Sequence, residues 1–181
     1  MRATWLPDVL RADGLIVEEL PGWRGRGDEL VRIDGLVEHG FGARYEDGWT
    51  DAAFDRMLMS GRPDLPGPLS QLGLDRDGHF VMVADGKANH NGYGLWGNQS
   101  IAIEVYGKDR WTAAQLEAWP RGSAAILRHL RYGVDRDKAH RETDPRRKVD
   151  PVNLDMDDFR RRVAAHLTPS TEEETLLCLL S

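Results

Sequence analysis

The sequence predicts an α/β fold in which a central mixed β-sheet is flanked by helices. Short apolar runs that alternate with polar residues indicate strands, longer stretches with helical spacing indicate helices, and both kinds occur along the chain. Two apolar runs flank Asp77-Gly78, which is a strong signal for a β-hairpin. Helices and strands mixed in this way favour a sheet with helices packed on it.

The first half of the chain is predicted to contain helices, short strands and a loop. In order, these are a helix over residues 4–13, strands over 15–17 and 36–37, a helix over 50–60 and a Pro/Gly loop over 61–68. Thr4 is placed to cap the first helix, and Asp13-Gly14 is a typical stop signal. The strand at 36–37 leads into a Gly-rich segment that begins at His39.

The second half is predicted to continue the alternation of strands and helices. In order, these are hairpin strands over 69–74 and 79–84, a strand over 100–106, a helix over 112–129, an irregular polar stretch over 133–154 and a helix over 155–167. Thr112 and Gln115 form a capping box, and Pro120 is expected to bend or split its helix. We therefore expect one domain over residues 1–167 and a linker-like tail over 168–181.

Composition and charge exclude several classes of function. The 181 residues suit one domain, and the net charge of −6 argues against a nucleic-acid binder. Cys178 is the only cysteine, so an intramolecular disulfide is excluded. The amino terminus lacks the apolar run of a signal peptide, and no stretch approaches the roughly 20 apolar residues of a membrane span. We expect no signal peptide and no membrane insertion. The sequence does not give the oligomeric state, and a monomer is favoured.

Two histidines and an aspartate form the first candidate site. His39 lies between a predicted strand and glycines, while His140 and Asp150 lie in the polar stretch, where Pro145 interrupts any continuous helix. A loop can bring His140 and Asp150 onto one ion, and two histidines with one carboxylate and an open fourth position are a catalytic zinc arrangement. The alternatives are a loop histidine at His39 and a solvated charge cluster around His140.

Glu104 and Lys148 are candidates for the chemistry itself. Glu104 interrupts an otherwise apolar strand, in which it shares a face with Ala102 and Tyr106. Burial there would raise the pKa of Glu104 and suit it to general-base work, although a surface glutamate on the exposed face is the alternative. Lys148 alternates with Asp150, so in an extended stretch both side chains point the same way, toward a metal-bound substrate.

Taken in chain order, these segments resemble the amidase-2 type of N-acetylmuramoyl-L-alanine amidases, which are related in fold to peptidoglycan-recognition proteins and include phage endolysins. The similar segments are Leu36-Val-Glu-His39, the Asp77-Gly78 hairpin, Ala88-Asn-His90-Asn-Gly, Ser100-Ile-Ala-Ile-Glu104, and His140 with Arg147-Lys148-Val-Asp150-Pro151. The last segment is the most specific, because it has the family's "R-K-x-D-P" spacing. The resemblance covers about residues 30–165, and the first 25 residues more weakly resemble lysins of actinobacterial phages.

The resemblance implies a mixed sheet flanked by helices and a zinc ion held by His39, His140 and Asp150. It implies that Lys148 is catalytic. Some phage members use a tyrosine before the hairpin, and this chain has Leu69-Ser-Gln-Leu there, so Glu104 is the better candidate for that role. The substrate would be the amide bond between N-acetylmuramic acid and L-alanine in peptidoglycan. The candidates for substrate contacts are His90, Asn91, Tyr93, Trp96 and Arg44.

Several alternatives stay open for these predictions. His90 has a substrate-side or a structural role, and Trp96 is equally expected in the core. The whole chain is expected to be a phage endolysin domain, held in the host bacterial cytoplasm until a separate pore releases it to the wall. The alternatives are a cytoplasmic muropeptide-recycling amidase, a non-catalytic peptidoglycan-binding module of the same fold, and an interaction domain whose charges are only solvated.

Overall fold

The computed structural model describes residues 1–168, so the predicted tail beyond residue 168, including Cys178, lies outside the described residues. The α-helices are α1 (Leu6–Ala12), α2 (Asp51–Ser60), α3 (Ala113–Leu130), α4 (His140–Thr143) and α5 (Met156–Leu167). The strands are β1 (Val17–Glu19), β2 (Leu36–Gly40), β3 (Gly61–Arg62), β4 (Leu65–Pro66), β5 (Leu72–Leu74), β6 (Phe80–Met82), β7 (Ile101–Val105) and β8 (Asp137–Ala139).

Six strands form one mixed sheet in the order β1-β6-β5-β7-β2-β8. Strand β5 pairs antiparallel with β6, which confirms the predicted hairpin around Asp77-Gly78. The pairs β5–β7, β7–β2 and β2–β8 are all parallel, so these four strands end at the same edge of the sheet. The prediction of an α/β fold with a mixed sheet and flanking helices is confirmed.

Alternating side chains of the strands build a separate core on each face of the sheet. Ile101, Ile103 and Val105 pack with α1, α3 and α5 in the larger core. Tyr106 packs with Phe54 and Leu58 of α2 in the smaller core on the other face. The predicted division of the strand at 100–106 into two faces is therefore confirmed. Packing on both faces also fixes the position of Glu104 within this strand.

Helix α3 runs without interruption through Pro120, so the prediction that Pro120 splits it was wrong. Proline removes a backbone donor and leaves the carbonyl four residues earlier without its usual partner. That carbonyl belongs to Leu116, and the guanidinium of Arg162 in α5 donates a hydrogen bond to it. The capping box of Thr112 and Gln115 is present as predicted.

Three further predictions of local structure were wrong. Trp5, and not Thr4, is the N-cap residue of α1, and it makes no side-chain cap hydrogen bond. The stretch over 61–68 contains the small antiparallel ribbon β3–β4. The stretch over 133–154 contains β8 and α4, which sequence patterning missed because Asp137-Lys-Ala139 has no apolar run, although Asp137 and Ala139 are buried. Strand β8 matters for the site, since α4 and its first residue follow it directly.

Candidate active site

The parallel strands bring the predicted site residues to one edge of the sheet. His39 in β2 is the register partner of Glu104 in β7. Strand β8 lies on the other side of β2 and ends at Ala139, so His140 begins α4 at the same edge. Open α/β sheets bind ligands at the carboxyl ends of their strands, and this edge holds all three side chains.

Asp150 reaches the two histidines from the loop after α4. Its Oδ2 lies 3.1 Å from Nδ1 of His140 and 3.4 Å from Nδ1 of His39. Arg141 holds this loop in place, because its guanidinium donates to the carbonyls of Pro151 and Leu154 and its backbone N–H donates to the carbonyl of Asp150, at 2.9 Å. The predicted trio of His39, His140 and Asp150 is therefore one cluster, with ligand atoms all within 4.8 Å of one another.

Two separations between ligand atoms of the cluster match those of a tetrahedral cation site. Zn–N and Zn–O bonds of roughly 2.0–2.1 Å at tetrahedral angles separate neighbouring ligand atoms by about 3.3 Å. The observed separations of 3.1 and 3.4 Å from Asp150 to the histidines are close to that value. His39 and His140 are buried, and the Asp150 side chain is 21% exposed, so one side of the cluster is open to the cleft.

The protonation states also suit a metal ligand set. Burial, together with the charges of His140 and Lys148, lowers the pKa of His39 to about 4, so its ring is neutral near pH 7. Burial alone would raise the pKa of Asp150, but hydrogen bonds from His140 and His39 and their charges outweigh it and lower that pKa. Neutral histidine and ionised aspartate are the forms that bind a metal ion.

Glu104 lies beside the cluster without belonging to it. Its Oε1 is 3.8 Å from Nδ1 of His39, and its buried Oε2 has no hydrogen-bond partner among residues 1–168. Burial raises the pKa of Glu104 well above its ordinary value, and the charge of Asp150 adds to this, while Lys148 and Arg62 act in the opposite direction. A carboxyl with a raised pKa and a free oxygen is suited to proton transfer.

Lys148 is half-buried at the mouth of the same cleft. Its backbone N–H donates to the carbonyl of Asp144 at 3.0 Å, so the chain just before Asp150 is fixed to the end of α4. The carboxylate of Asp144 also binds the guanidinium of Arg147. Lys148 lines the cleft, and its positive charge lowers the pKa of both His39 and Glu104.

The cluster lies in a cleft of about 430 Å³. One wall is apolar and comes from α2, the β3–β4 ribbon and the segments beside them: Phe41, Trp49, Met57, Leu65 and Leu69. Arg62 and Lys108 add positive charge at exposed positions of the rim, and Val149 and Val152 lie on the side of Asp150. No local pattern predicts that these residues line one cleft, because only the packing of distant segments brings them together.

Of the five predicted substrate contacts, His90 alone lines this cleft among the described residues. Arg44 lines a separate cavity of about 120 Å³ and binds Asp109, with 3.1 Å between Nε and Oδ1. Trp96 lies beside Gly35, just before β2 and away from the end that carries His39. Asn91 is buried, and Tyr93 is 96% exposed on the adjacent loop.

The fold is an α/β fold with a candidate active site at the carboxyl ends of its parallel strands, where a candidate metal cluster lies beside a carboxylate. Residues 29–153, more than half of the chain, match the family model Amidase_2, N-acetylmuramoyl-L-alanine amidase. The chain belongs to this family, which makes it a hydrolase of the amidase type. No curated protein is a significant match to the sequence.

Solved structures of amidases share the fold. An AmpD selenomethionine derivative is 21% identical, with a TM-score of 0.62 over 84% of this chain and 94% of that chain. Staphylococcus aureus AmiA, a hydrolase solved with its ligand, is 13% identical, with a TM-score of 0.65 over 91% and 90%. The endolysin amidase LysCS from Clostridium intestinale is 13% identical, with a TM-score of 0.63 over 82% and 95%. Within residues 1–168, no helix combines the length and apolar character that crossing a bilayer requires.

Proposed function

We propose that the chain is a zinc-dependent amidase that hydrolyses the bond between N-acetylmuramic acid and L-alanine in peptidoglycan. The observation that carries this proposal is the convergence of His39, His140 and Asp150 beside Glu104, in a chain of the amidase family. Zinc in that position would polarise the scissile carbonyl and make water a better nucleophile near neutral pH. Two histidines and one carboxylate leave a fourth position free for this chemistry.

Glu104 is the general base in this proposal. Its raised pKa and its unpartnered oxygen allow it to orient the attacking water and to accept the proton that the water loses. The same carboxyl can then return the proton to the leaving amine of L-alanine. The bond broken is the carbonyl–nitrogen bond of the lactyl-alanine amide, and the products are a carboxylate and a free amino terminus.

Lys148 stabilises the negative charge that develops on the carbonyl oxygen during the attack. A preorganised donor of this kind typically lowers the barrier by roughly 3–4 kcal/mol. The rim residues Arg62 and Lys108 give the cleft further positive charge that suits an acidic stem peptide. The apolar wall opposite can pack against aliphatic parts of the substrate, and the exposed Tyr93 stays a candidate for glycan contacts on the neighbouring loop.

We further propose that the natural target is the intact wall of a bacterial host during phage lysis. In this setting the enzyme would wait in the host cytoplasm until a separate pore admits it to the wall. A recycling amidase would use the same catalytic residues on soluble muropeptides. The two roles differ in an assay with matched substrates: a lysin releases amino termini from intact purified walls, whereas a recycling enzyme acts on soluble fragments alone.

The metal and the reaction are tested together on the purified protein and the Asp150→Ala variant. We expect about one zinc per chain in the wild type, release of L-alanine amino termini from cell wall, and loss of both in the variant. Asp135→Ala is the matched control, because Asp135 is an exposed aspartate that precedes β8 and does not line the cleft. Zinc without cleavage of any wall or fragment would contradict the amidase assignment, and wild-type protein without zinc would contradict the metal site.

A further inference from the structure

His39 and His90 contact each other ring to ring at the floor of the cleft. Nε2 of His39 lies 3.1 Å from Nδ1 of His90, and the two ring planes are at 87°. The other nitrogen of His39, Nδ1, faces Asp150 at 3.4 Å. The two ring nitrogens of His39 therefore have separate tasks, one on the side of the metal cluster and one on the side of His90.

When His39 binds a metal ion through Nδ1, only one assignment of donors and acceptors between His39 and His90 is possible. The ligating nitrogen carries no proton, so the proton of the neutral ring is on Nε2 and is donated to Nδ1 of His90. His90 must then carry its own proton on Nε2, which lies 3.4 Å from the hydroxyl oxygen of Ser100. The chain of donors runs from His39 to His90 and from His90 to Ser100.

The backbone around His90 is also fixed. Oδ1 of Asn98 accepts hydrogen bonds from the backbone N–H groups of His90, Asn91 and Gly92, at 3.2, 2.9 and 2.9 Å. The side chain of Asn91 accepts a hydrogen bond from Thr143 at 2.8 Å, and Thr143 is the last residue of α4, the helix that His140 begins. The loop that carries His90 is therefore tied to the element that carries a second ligand.

The two candidate ligand histidines differ in the hydrogen bonds of their Nε2 atoms. Nε2 of His140 is buried and has no hydrogen-bond partner among the described residues, whereas Nε2 of His39 has His90. The protein thus sets the ring orientation of His39 directly. With both of its ring nitrogens already engaged and the residue buried, His90 has no free nitrogen for a substrate.

We propose that His90 is a positioning residue of the metal centre, which fixes the tautomer and ring orientation of His39, and that it does not bind substrate. This inference rests on the proposed function, because it assumes a metal ion on His39. Outer hydrogen-bond partners of ligating histidines typically contribute about 10–100-fold to metal affinity. Ser100 supports the same orientation one step further out, so its effect on affinity is smaller.

The test is zinc affinity, measured by competition with a chelator on the full chain without substrate. His90→Leu removes the acceptor at similar volume, and we expect zinc binding about 10–100-fold weaker. His90→Asn places an amide oxygen near the position of Nδ1 and should restore affinity to within about threefold of the wild type, because the acceptor is what His39 needs. His166→Leu, at an exposed histidine of α5, is the matched control and should bind zinc like the wild type.

A second readout separates positioning from a general structural role. In the zinc-loaded protein, the Nε2 proton of His39 should give a protected, downfield NMR signal in the wild type and in His90→Asn, and lose protection in His90→Leu. Unchanged affinity in His90→Leu would overturn the proposal, and so would His90→Asn binding as weakly as His90→Leu while folded. Wild-type protein that binds zinc but cleaves no substrate would contradict the amidase alone, and wild-type protein that binds no zinc would overturn both.

Discussion

Glu38 and Asp137 place two carboxyl groups side by side in the buried layer between the sheet and α3, and both side chains are fully buried. Glu38 precedes His39 in β2 and therefore faces away from the cleft, where it accepts hydrogen bonds from Trp119 at 2.6 Å and Ser123 at 2.8 Å. Burial raises the pKa of Glu38 to about 7, against the hydrogen bonds that lower it. Burial and the charge of Glu38 raise the pKa of Asp137.

Because of this pair, we expect the free energy of unfolding to fall as the pH rises from about 4.5 to 7. The folded state keeps the Glu38 proton in that range while the unfolded chain, with a pKa near 4.5, has lost it, so folding is favoured at the lower pH. Glu38→Gln should flatten the dependence by on the order of 1–3 kcal/mol across the window. Urea unfolding in the presence of a chelator at several pH values measures the slope, with the exposed Glu29→Gln as control. Parallel slopes for wild type and Glu38→Gln would contradict the prediction.

Glu104→Gln should lower kcat by about 10²–10⁴-fold while zinc stays bound, because a general base contributes by that factor and Glu104 is not a ligand. The variant keeps the volume of the side chain and removes only the proton acceptor. Since the pKa of Glu104 is raised by burial, the acid limb of the wild-type pH–rate profile should lie well above pH 4.5 and be absent from the variant. Glu117→Gln, on the exposed face of α3, serves as control. Full activity in Glu104→Gln with zinc bound would exclude the base assignment.

Lys148→Ala should lower kcat by roughly 10²–10³-fold with little change in KM, because the ammonium acts on charge that appears only in the transition state. Steady-state kinetics on a soluble muramyl peptide separate the two parameters, and metal analysis confirms that zinc is retained. Arg146→Ala removes a cation from an exposed position in the same loop and should leave kcat unchanged. A rise in KM alone would show that Lys148 only binds substrate.

Several of these residues could be predicted from the sequence and others could not, for physical reasons. His39 follows a short predicted strand and precedes glycines, Glu104 interrupts a strand with two alternating faces, and Asp150 has a distinctive spacing from Lys148 and Pro151. Strand β8 could not be found this way, because its Asp137 is an acidic residue that a sequence pattern places at the surface. Only in the folded chain is Asp137 buried beside Glu38, with a raised pKa.

The apolar wall of the cleft shows the same limit. Phe41 and Trp49 look like ordinary core residues in the sequence, and only the packing of α2 on the sheet makes them a surface of the site. Arg44, in turn, is one of the predicted substrate contacts, yet it binds Asp109 beside another cavity. Contacts between segments that are distant in the chain leave no signal in the local sequence.

Arg141→Ala should weaken zinc binding and lower the free energy of unfolding by about 1–3 kcal/mol, because it leaves the carbonyls of Pro151 and Leu154 without their charged donor. The loop that holds Asp150 would lose the two side-chain hydrogen bonds to α4 and keep only the bond from the backbone N–H of residue 141 to the carbonyl of Asp150. Arg161→Ala removes an exposed ion pair with Asp158 and should cost no more than about 1 kcal/mol. Chelator competition and urea unfolding on both variants make the comparison. Equal effects of the two substitutions would contradict the role given to Arg141.

Gly122→Ala sets two effects of opposite sign against each other in the middle of α3. Alanine is favoured over glycine by about 1 kcal/mol inside a helix. A Cβ at this position, however, would lie 2.2 Å from Cζ of Phe80, whose side chain is fully buried in the core. Overpacking of a close-packed core costs about 1–3 kcal/mol, so we expect net destabilisation. The double variant Gly122→Ala with Phe80→Leu should recover part of the loss relative to the two single variants added together, because the shorter side chain removes the clash. A stabilised Gly122→Ala single variant in urea unfolding would show that Phe80 can shift, and that helix propensity decides at this contact.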